Sequence, residues 1–253
     1  MLHNQKGDFM SLPSFFVDED SKTENSFVIT GDENKHLATV LRLGIGEQIE
    51  VMQNDGFIHR CELVSVGKKE SVASIKSSRY VPNRSKITVF MALIMSDRMD
   101  WAVQKVTELG VERIIPFDSE YCTVKDKGNK LDRLIRISIS ASKQSGRATL
   151  PQISRTMSFD EICKEVGEFH QIILAYEGAS QNAKEVLSSL DKNQPIALIV
   201  GSEGGFSNKE VEKLIKNGAK VISMGNTILR AETASVALVS AVNYELGIWE
   251  KVK

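Results

Sequence analysis

The pattern of apolar and polar residues changes near residues 80–84. Before this point, short runs in which apolar and polar residues alternate, such as residues 48–52 and 58–63, are separated by glycines and predict hairpin strands. After it, apolar runs of four to nine residues alternate with helical segments. The first part is therefore predicted to be a small β-barrel, and the second a parallel α/β sheet.

These patterns define two domains, at residues 11–80 and 82–253. Residues 1–9 carry no apolar pattern, so residues 1–10 are predicted to be an extension. The strands predicted for the second domain lie at residues 87–95, 114–117, 172–176, 196–200 and 221–224. Its main helices are predicted at about residues 98–109, 131–144 and 230–247.

Two loops that contain glycine follow strands and precede helices. In the first, residues 201–205 (Gly-Ser-Glu-Gly-Gly) allow a sharp turn and a close approach to a ligand. Ser207 and Glu210 then form the Ser-x-x-Glu pattern that caps a helix. In the second, a turn at residues 225–226 leads to a helix that begins near Arg230. Because both loops end on the same edge of the sheet, they are predicted to form one ligand crevice.

The first loop lacks both common phosphate-binding patterns. It has neither the Lys-Ser/Thr ending of a P-loop nor the Gly-x-Gly-x-x-Gly spacing of dinucleotide-binding loops. A glycine-rich turn after a strand often serves only to reverse the chain. On this pattern alone, a structural turn and a ligand loop are equally open.

The two loops together resemble a known family. Residues 201–207 and 224–234 are similar to the Gly-Pro-Glu-Gly-Gly and Leu-Gly-x-Arg-Ile-Leu-Arg-x-Glu-Thr-Ala segments of the RsmE family. Residues 36–43, 98–110 and 144–147 resemble three further segments of that family, so the resemblance covers nearly the whole chain. RsmE proteins are SPOUT-class methyltransferases that use S-adenosylmethionine and act on small-subunit ribosomal RNA.

Three positions depart from the family pattern. Ser202 replaces a proline, which removes a fixed φ and predicts a more mobile first loop before cofactor binds. Thr227 replaces an arginine and removes a positive charge near the second loop, and Lys143 replaces a glutamate. These changes concern cofactor affinity and RNA fit more than the reaction class.

The resemblance implies an N-terminal PUA-like β-barrel that holds RNA and a C-terminal SPOUT domain with a trefoil knot. General topology rules predict an unknotted, doubly wound sheet instead, because threaded chains are rare. The SPOUT family is an exception, and we follow the resemblance. It also predicts that translation begins functionally at Met10, because residues 11–16 resemble the start of the family.

The reaction that the resemblance implies is methylation of N3 of a uridine in 16S ribosomal RNA. This reaction removes the N3 proton, so the site needs a proton acceptor or strong stabilisation of the uracil anion. Arg230 is predicted to stabilise the anion, and Arg147 to orient a phosphate or the base. Glu203 or Glu232 is predicted to accept the proton, although a structural role as a loop brace or a first-turn carboxylate is equally open.

S-adenosylmethionine is the cofactor that the resemblance implies. Its adenine and sulfonium require main-chain donors and acceptors beside apolar walls more than phosphate-binding charges. The strand end at residues 175–176 supplies a third wall, unless it is only a buried strand end. The predicted cofactor site comprises Ala175, Tyr176, Gly201, Ser202, Glu203, Gly204, Gly205, Met224, Gly225, Ile228, Leu229, Arg230, Glu232, Thr233 and Ala234.

The net charge is unusual for a protein that binds RNA. The chain carries a formal charge of -1 with a pI near 6.5, and residues 1–80 contain 9 basic and 12 acidic residues. An RNA site is therefore predicted to be a local basic patch. Each candidate is alternatively a solvated surface charge: Arg42, Arg60, Lys68, Lys69, Arg79 and Arg84, with Arg147 and Arg230 at the pocket.

Cysteine and histidine positions argue against two kinds of site. Cys61, Cys122 and Cys163 form no Cys-x-x-Cys pair, and the four histidines show no ligand spacing, so neither a disulfide framework nor a metal site is predicted. No apolar run reaches the roughly 18 residues that span a bilayer, and the N-terminus lacks a signal-peptide core. The sequence therefore predicts a cytoplasmic enzyme without a metal.

Three function classes stay open. The first is a uridine-N3 methyltransferase of the RsmE type. The second is a SPOUT enzyme with another target, such as the ribose 2′-oxygen of transfer RNA. The family-like sequence of residues 40–43 favours the first over the second. The presence of both loops favours an enzyme over the third class, a non-catalytic RNA-binding or assembly protein. A homodimer is also predicted, because the last helix carries apolar residues on more than one face: Val236, Leu238, Val239 and Val242.

Overall fold

The protein is described by a computed structural model that covers residues 12–126, 128 and 130–250. The chain divides into two compact units between Pro82 and Asn83. The change of pattern predicted near residues 80–84 lies at this division. The predicted extension at residues 1–10, with its start at Met10, lies outside the described residues.

The N-terminal unit is built on one five-stranded sheet. Its strands are β1 Ser14–Phe16, β2 Ser26–Thr30, β3 Gln48–Met52, β4 Phe57–Val66 and β5 Glu70–Tyr80, and a short helix α1 Gly31–Lys35 continues into a π-helical turn His36–Val40. The strand order is β1-β3-β4-β5-β2, with β1 parallel to β3 and the other pairs antiparallel. Alternate residues of β2 and β3 are buried, as the period-2 pattern predicts.

The C-terminal unit alternates strands and helices. Its elements are β6 Ile87–Ala92, α2 Ser96–Glu108, β7 Arg113–Asp118, α3 Lys130–Ser145, β8 Gln152–Ile153, β9 Met157–Ser158, α4 Phe159–Val166, β10 Gln171–Ala175, α5 Ala183–Ser188, β11 Ile196–Val200, α6 Asn208–Lys216, β12 Lys220–Ile222 and α7 Ala231–Glu245. The sheet order is β12-β10-β11-β6-β7-β8, β9 also pairs with β7, and every pair is parallel.

Helices cover both faces of this parallel sheet. Val89 on β6 and Leu198 on β11 pack into the core formed with α2, α3, α5 and α7. Phe90 and Ile199, their neighbours in sequence, pack into the opposite core with α4 and α6. Because both faces are covered, β6 and β11 are buried at every position, which explains why β11 is wholly apolar and β6 is apolar except at Thr88.

The predicted elements and the observed ones agree closely in the C-terminal unit. The strand predicted at residues 196–200 is observed with the same bounds, and the helix predicted at 230–247 is observed as α7. The strand predicted at 87–95 ends earlier, at Ala92. The parallel α/β prediction is confirmed, whereas the threading of the chain into a knot stays a prediction. In the part of the chain that the structure describes, no helix is long and apolar enough to cross a membrane.

Candidate functional site

A cavity of about 560 Å³ opens in the C-terminal unit at the carboxyl ends of three strands. These strands are neighbours in the order β12-β10-β11, so the residues that follow them meet at one edge of the sheet. Both predicted loops line this cavity, at residues 201–206 and 223–231. The structure thus brings together the two loops that the sequence assigned to one crevice.

Most of the predicted cofactor residues line the cavity. Glu232 and Thr233 do not: Thr233 is exposed on α7, and Oε2 of Glu232 is buried without a hydrogen-bond partner among the described residues. The predicted residues that do line it are Ala175, Tyr176, Gly201, Ser202, Glu203, Gly204, Gly205, Met224, Gly225, Ile228, Leu229, Arg230 and Ala234.

Glycine is required at three positions of the first loop for three different reasons. A Cβ on Gly201 would lie 2.8 Å from the ring of Phe206. A Cβ on Gly204 would lie 2.8 Å from Cβ of Tyr121 and 3.0 Å from its carbonyl oxygen. Gly205 has a φ of +71°, which side chains rarely adopt. The loop is therefore shaped by the protein around it as well as by the cavity.

The first loop is fastened to the segment that follows β7. The predicted capping box of α6 is confirmed, because Ser207 and Glu210 bond each other's main-chain N–H groups. Glu210 is buried and also accepts hydrogen bonds from the Glu120 N–H at 2.9 Å and the Ser119 hydroxyl at 3.4 Å. Ser202 donates to the carbonyl of Tyr121 at 3.3 Å. This hydroxyl gives the loop an attachment at the position where the family pattern has proline.

Glu203, a predicted proton acceptor, is engaged by the beginning of α2. Its Oε1 accepts from the guanidinium of Arg98 at 3.3 Å and from the N–H of Met95 at 3.4 Å. Arg98 also lines the cavity. Glu203 is therefore held by two donors at the start of α2, one of them charged.

The second loop presents main-chain groups to the cavity. The hydroxyl of Ser223 donates to the carbonyl of Gly225 at 3.1 Å, which holds the turn at the end of β12. Residues 226–229 then make no main-chain hydrogen bond to another described residue. Ile228 is 86% exposed, and the side chain of Arg230 makes no hydrogen bond or ion pair within the described chain. Within the described residues, the main-chain groups of residues 226–229 and the guanidinium of Arg230 have no partner.

Arg147 lies outside the residues that line the cavity. Its guanidinium donates to the carbonyl of Thr107 at 2.6 Å and to that of Val111 at 3.0 Å, so it binds the end of α2 and the turn after it. Burial lowers the pKa of Arg147 to about 10. In the described chain, this arginine is part of the scaffold, and its predicted role toward RNA or the base finds no support in these contacts.

We expect Arg147→Ala to lower the free energy of unfolding by about 2–4 kcal/mol, because two carbonyls lose charged donors. The dissociation constant for S-adenosylmethionine should stay within about twofold. Thermal unfolding with and without ligand measures both quantities. Arg136→Ala on the exposed face of α3 is the matched control and should change stability by no more than about 0.5 kcal/mol. If the variant keeps its stability and loses most of its turnover, Arg147 has a catalytic role and not a structural one.

The other predicted RNA-binding residues differ in their surroundings. Arg42, Arg60 and Lys68 are exposed on the N-terminal unit, and Arg42 has a φ of +54° just after the π-helical turn. Arg84 donates instead to three carbonyls beyond α7, those of Gly247, Ile248 and Glu250. RNA binding by the first three stays a prediction, whereas the guanidinium of Arg84 holds the chain after the last helix.

Several residues that line the cavity were not predicted as site residues. Two of them are charged, Arg98 and Glu177, and the position of Glu177 just after a predicted strand was the signal that could have identified it. No group of three His, Cys, Asp or Glu side chains in the described residues is placed to hold a metal ion. The remaining unpredicted lining residues are Val200, Phe206, Ser223, Asn226, Thr227 and Ala231.

A parallel α/β sheet with a cavity at the carboxyl ends of its strands defines a class of proteins that bind a small ligand at that edge. Residues 81–243 match the family described as "RNA methyltransferase domain", and residues 29–76 match "RNA methyltransferase PUA domain". The chain therefore belongs to this family of RNA methyltransferases. The resemblance found in the sequence is confirmed.

Relatives and solved structures agree with this assignment. The chain is 33% identical over 232 residues to the ribosomal RNA small subunit methyltransferase E of Bacillus subtilis (strain 168). The aligned region covers 87% of this chain and 90% of the relative. It is 31% identical over 229 residues to the protein of the same name from Mesomycoplasma hyopneumoniae, with 89% and 96% covered. The crystal structure of the Neisseria gonorrhoeae methyltransferase E bound to S-adenosyl methionine has a TM-score of 0.82 and 27% identity, covering 92% of this chain and 97% of that one.

Proposed function

We propose that this protein transfers the methyl group of S-adenosylmethionine to N3 of a uridine in 16S ribosomal RNA. The main support for the proposal is that both loops line one cavity in a chain of the RNA methyltransferase family. Similarity to proteins named ribosomal RNA small subunit methyltransferase E supports the choice of RNA. The choice of uridine N3 rests on the resemblance of the sequence to the RsmE family. We also propose that the protein acts in the cytoplasm and that its substrate is the RNA of the small ribosomal subunit.

The residues of the cavity fit S-adenosylmethionine. Met224 and Leu229 line the cavity and pack on the core of the C-terminal unit, so they supply apolar walls for an adenine. The free main-chain groups of residues 226–229 supply donors and acceptors for its edge. Residues 201–205 would hold the rest of the molecule. When bound, the cofactor supplies an electrophilic methyl group on a sulfonium.

Arg230 is proposed to act on the RNA base. Loss of the N3 proton leaves negative charge on the uracil ring, and a guanidinium held at the cavity stabilises that charge. Arg230 is suited to this role because no described residue neutralises it and because it occupies the N-cap position of α7, where the helix dipole also favours negative charge. The chain thus supplies the electrostatic part of catalysis from the second loop.

Mapping of ribosomal RNA from a strain that lacks the protein tests the proposal. A methyl group on N3 blocks base pairing and stops reverse transcription, so one stop in 16S RNA should disappear and return when the gene is restored. The purified protein should restore the stop when it is incubated with undermodified small subunits and S-adenosylmethionine. Loss of a ribose 2′-O-methyl group in transfer RNA would instead identify the second candidate, and no lost methyl group would indicate an assembly protein.

We also propose that the protein is a homodimer. Three of the four α7 residues on which the prediction depended, Leu238, Val239 and Val242, are buried within their own chain, and only Val236 stays partly exposed. The support now comes from Tyr244 at the end of α7, which is 74% exposed. Sedimentation at micromolar concentration should give a dimer. A monomer of 28.1 kDa would contradict the proposal.

A further inference from the structure

Glu177 occupies the centre of the cavity edge. It follows β10 by two residues, and β10 lies between β11 and β12, the strands that lead into the two loops. Its Oε1 lies 3.0 Å from the position that a Cβ on Gly205 would occupy, so the carboxylate lies against the first loop. The side chain lines the cavity and is exposed to solvent.

The carboxylate of Glu177 beside the first loop has no ion-pair partner among the described residues. Four charged side chains line it: Arg98, Glu177, Glu203 and Arg230. Arg98 and Glu203 form an ion pair at 3.3 Å and neutralise each other. Within the described residues, neither Glu177 nor Arg230 has a salt-bridge partner, and Arg230 belongs to the second loop. An uncompensated carboxylate is therefore left beside the first loop.

We infer that Glu177 makes the cavity selective for the positively charged cofactor over the spent one. This inference rests on the proposed function. Methyl transfer breaks the bond between sulfur and the methyl carbon, the electron pair stays on sulfur, and a bond forms between that carbon and uracil N3, whose proton leaves. The sulfonium becomes a neutral thioether. S-adenosylmethionine thus has a net charge of about +1 near neutral pH and S-adenosylhomocysteine about 0, so a nearby carboxylate attracts the first more strongly.

This selectivity would assist turnover. A cavity that recognised only adenine and ribose would bind both forms equally. S-adenosylhomocysteine would then occupy most of the protein whenever its concentration exceeded that of S-adenosylmethionine. A carboxylate at the rim adds an attraction that disappears when the methyl group is transferred. Because Glu177 is exposed, solvent and salt weaken this attraction, and the expected discrimination is modest.

Titration calorimetry on the wild-type protein and Glu177→Gln tests the inference. Glutamine keeps the size of the side chain and removes its charge. We expect the variant to bind S-adenosylmethionine about fivefold more weakly, a change of the size that one unit charge exerts on another a few ångström away at a wet surface. Binding of S-adenosylhomocysteine should change by less than about 1.5-fold. Sinefungin, which carries an amine in place of the sulfonium, should behave like S-adenosylmethionine.

Salt and a second variant provide the controls. The fivefold difference should decrease between 50 and about 300 mM salt, because screening acts on exposed charges. Glu185→Gln, an exposed carboxylate of α5 that does not line the cavity, should leave all three affinities unchanged.

Two results would overturn the inference alone. Equal weakening of charged and neutral ligands would show that Glu177 acts through loop packing. Unchanged affinities with slower methyl transfer would show that it acts on the RNA base. If none of the three ligands binds to the wild-type protein, the proposed function fails and the inference falls with it.

Discussion

Arg230→Ala is expected to reduce methyl transfer by about 100-fold or more, while the dissociation constant for S-adenosylmethionine changes by no more than a few-fold. Removal of one preorganised group that stabilises transition-state charge costs about this much. Affinity should be spared because the cofactor is itself cationic and gains nothing from a guanidinium. Transfer of a labelled methyl group to undermodified small subunits gives the rate, and calorimetry gives the affinity.

The pH profile and two further variants separate catalysis from loop structure. If Arg230 stabilises the uracil anion, the rate of Arg230→Ala should recover as pH rises, because the base then ionises without help. Arg230→Lys keeps the charge and loses the planar fork, so its rate should be intermediate. Arg98→Ala removes a cation that Glu203 already neutralises, and it should slow transfer by less than about tenfold. A proportional loss of rate and affinity in Arg230→Ala would make Arg230 a structural residue of the second loop.

Gly204→Val is expected to weaken S-adenosylmethionine binding by about tenfold or more. The added Cβ points at Tyr121, 2.8 Å from its Cβ, and Ser202 is attached to the carbonyl of the same tyrosine. The loop or the segment after β7 must therefore move, and either change deforms the cavity. The sequence predicted that residues 201–205 allow a close approach to a ligand, whereas the structure shows that a side chain at residue 204 would clash with Tyr121 of the protein itself.

Overpacking of this kind costs about 1–3 kcal/mol, so the melting temperature of Gly204→Val should fall by roughly 2–10 °C. Differential scanning fluorimetry measures this shift beside the calorimetric affinity. Gly44→Val is the matched control in the N-terminal unit, because a Cβ on Gly44 meets only Glu47 Oε2 at an ordinary 3.7 Å. Gly204→Val with normal affinity and normal melting would contradict the geometry of the first loop.

The regular elements of the chain could be predicted because they depend on short-range patterns. The strand Ile196–Val200 is five consecutive apolar residues, and a run of this length with β-branched residues is typical of a strand buried on both faces of a parallel sheet. Ser207 and Glu210 are three residues apart, so the capping box depends on no distant part of the fold. The two short strands β8 and β9 escaped prediction because two residues carry no period.

The partners of the charged side chains could not be predicted in this way. Arg147 was a candidate because residues 144–147 resemble a family segment, and Arg84 because an RNA site was predicted to be a local basic patch. Neither observation shows which groups a guanidinium binds in the folded chain. The acceptors are carbonyls 36 and 40 residues away for Arg147, and 163 to 166 residues away for Arg84. Main-chain carbonyls occur at every position, so no residue type in the sequence marks them as acceptors.

The sequence by itself determined the family, the strand and helix pattern and the two loops, because each depends on residues close together in the chain. Only the tertiary structure decided which charges remain free at the cavity. The strand order placed β10 between β11 and β12, which brought Glu177 to the centre of the site, and folding paired Glu203 with Arg98 across 105 residues. Charge balance depends on distances of a few ångström between side chains, and the fold alone sets those distances.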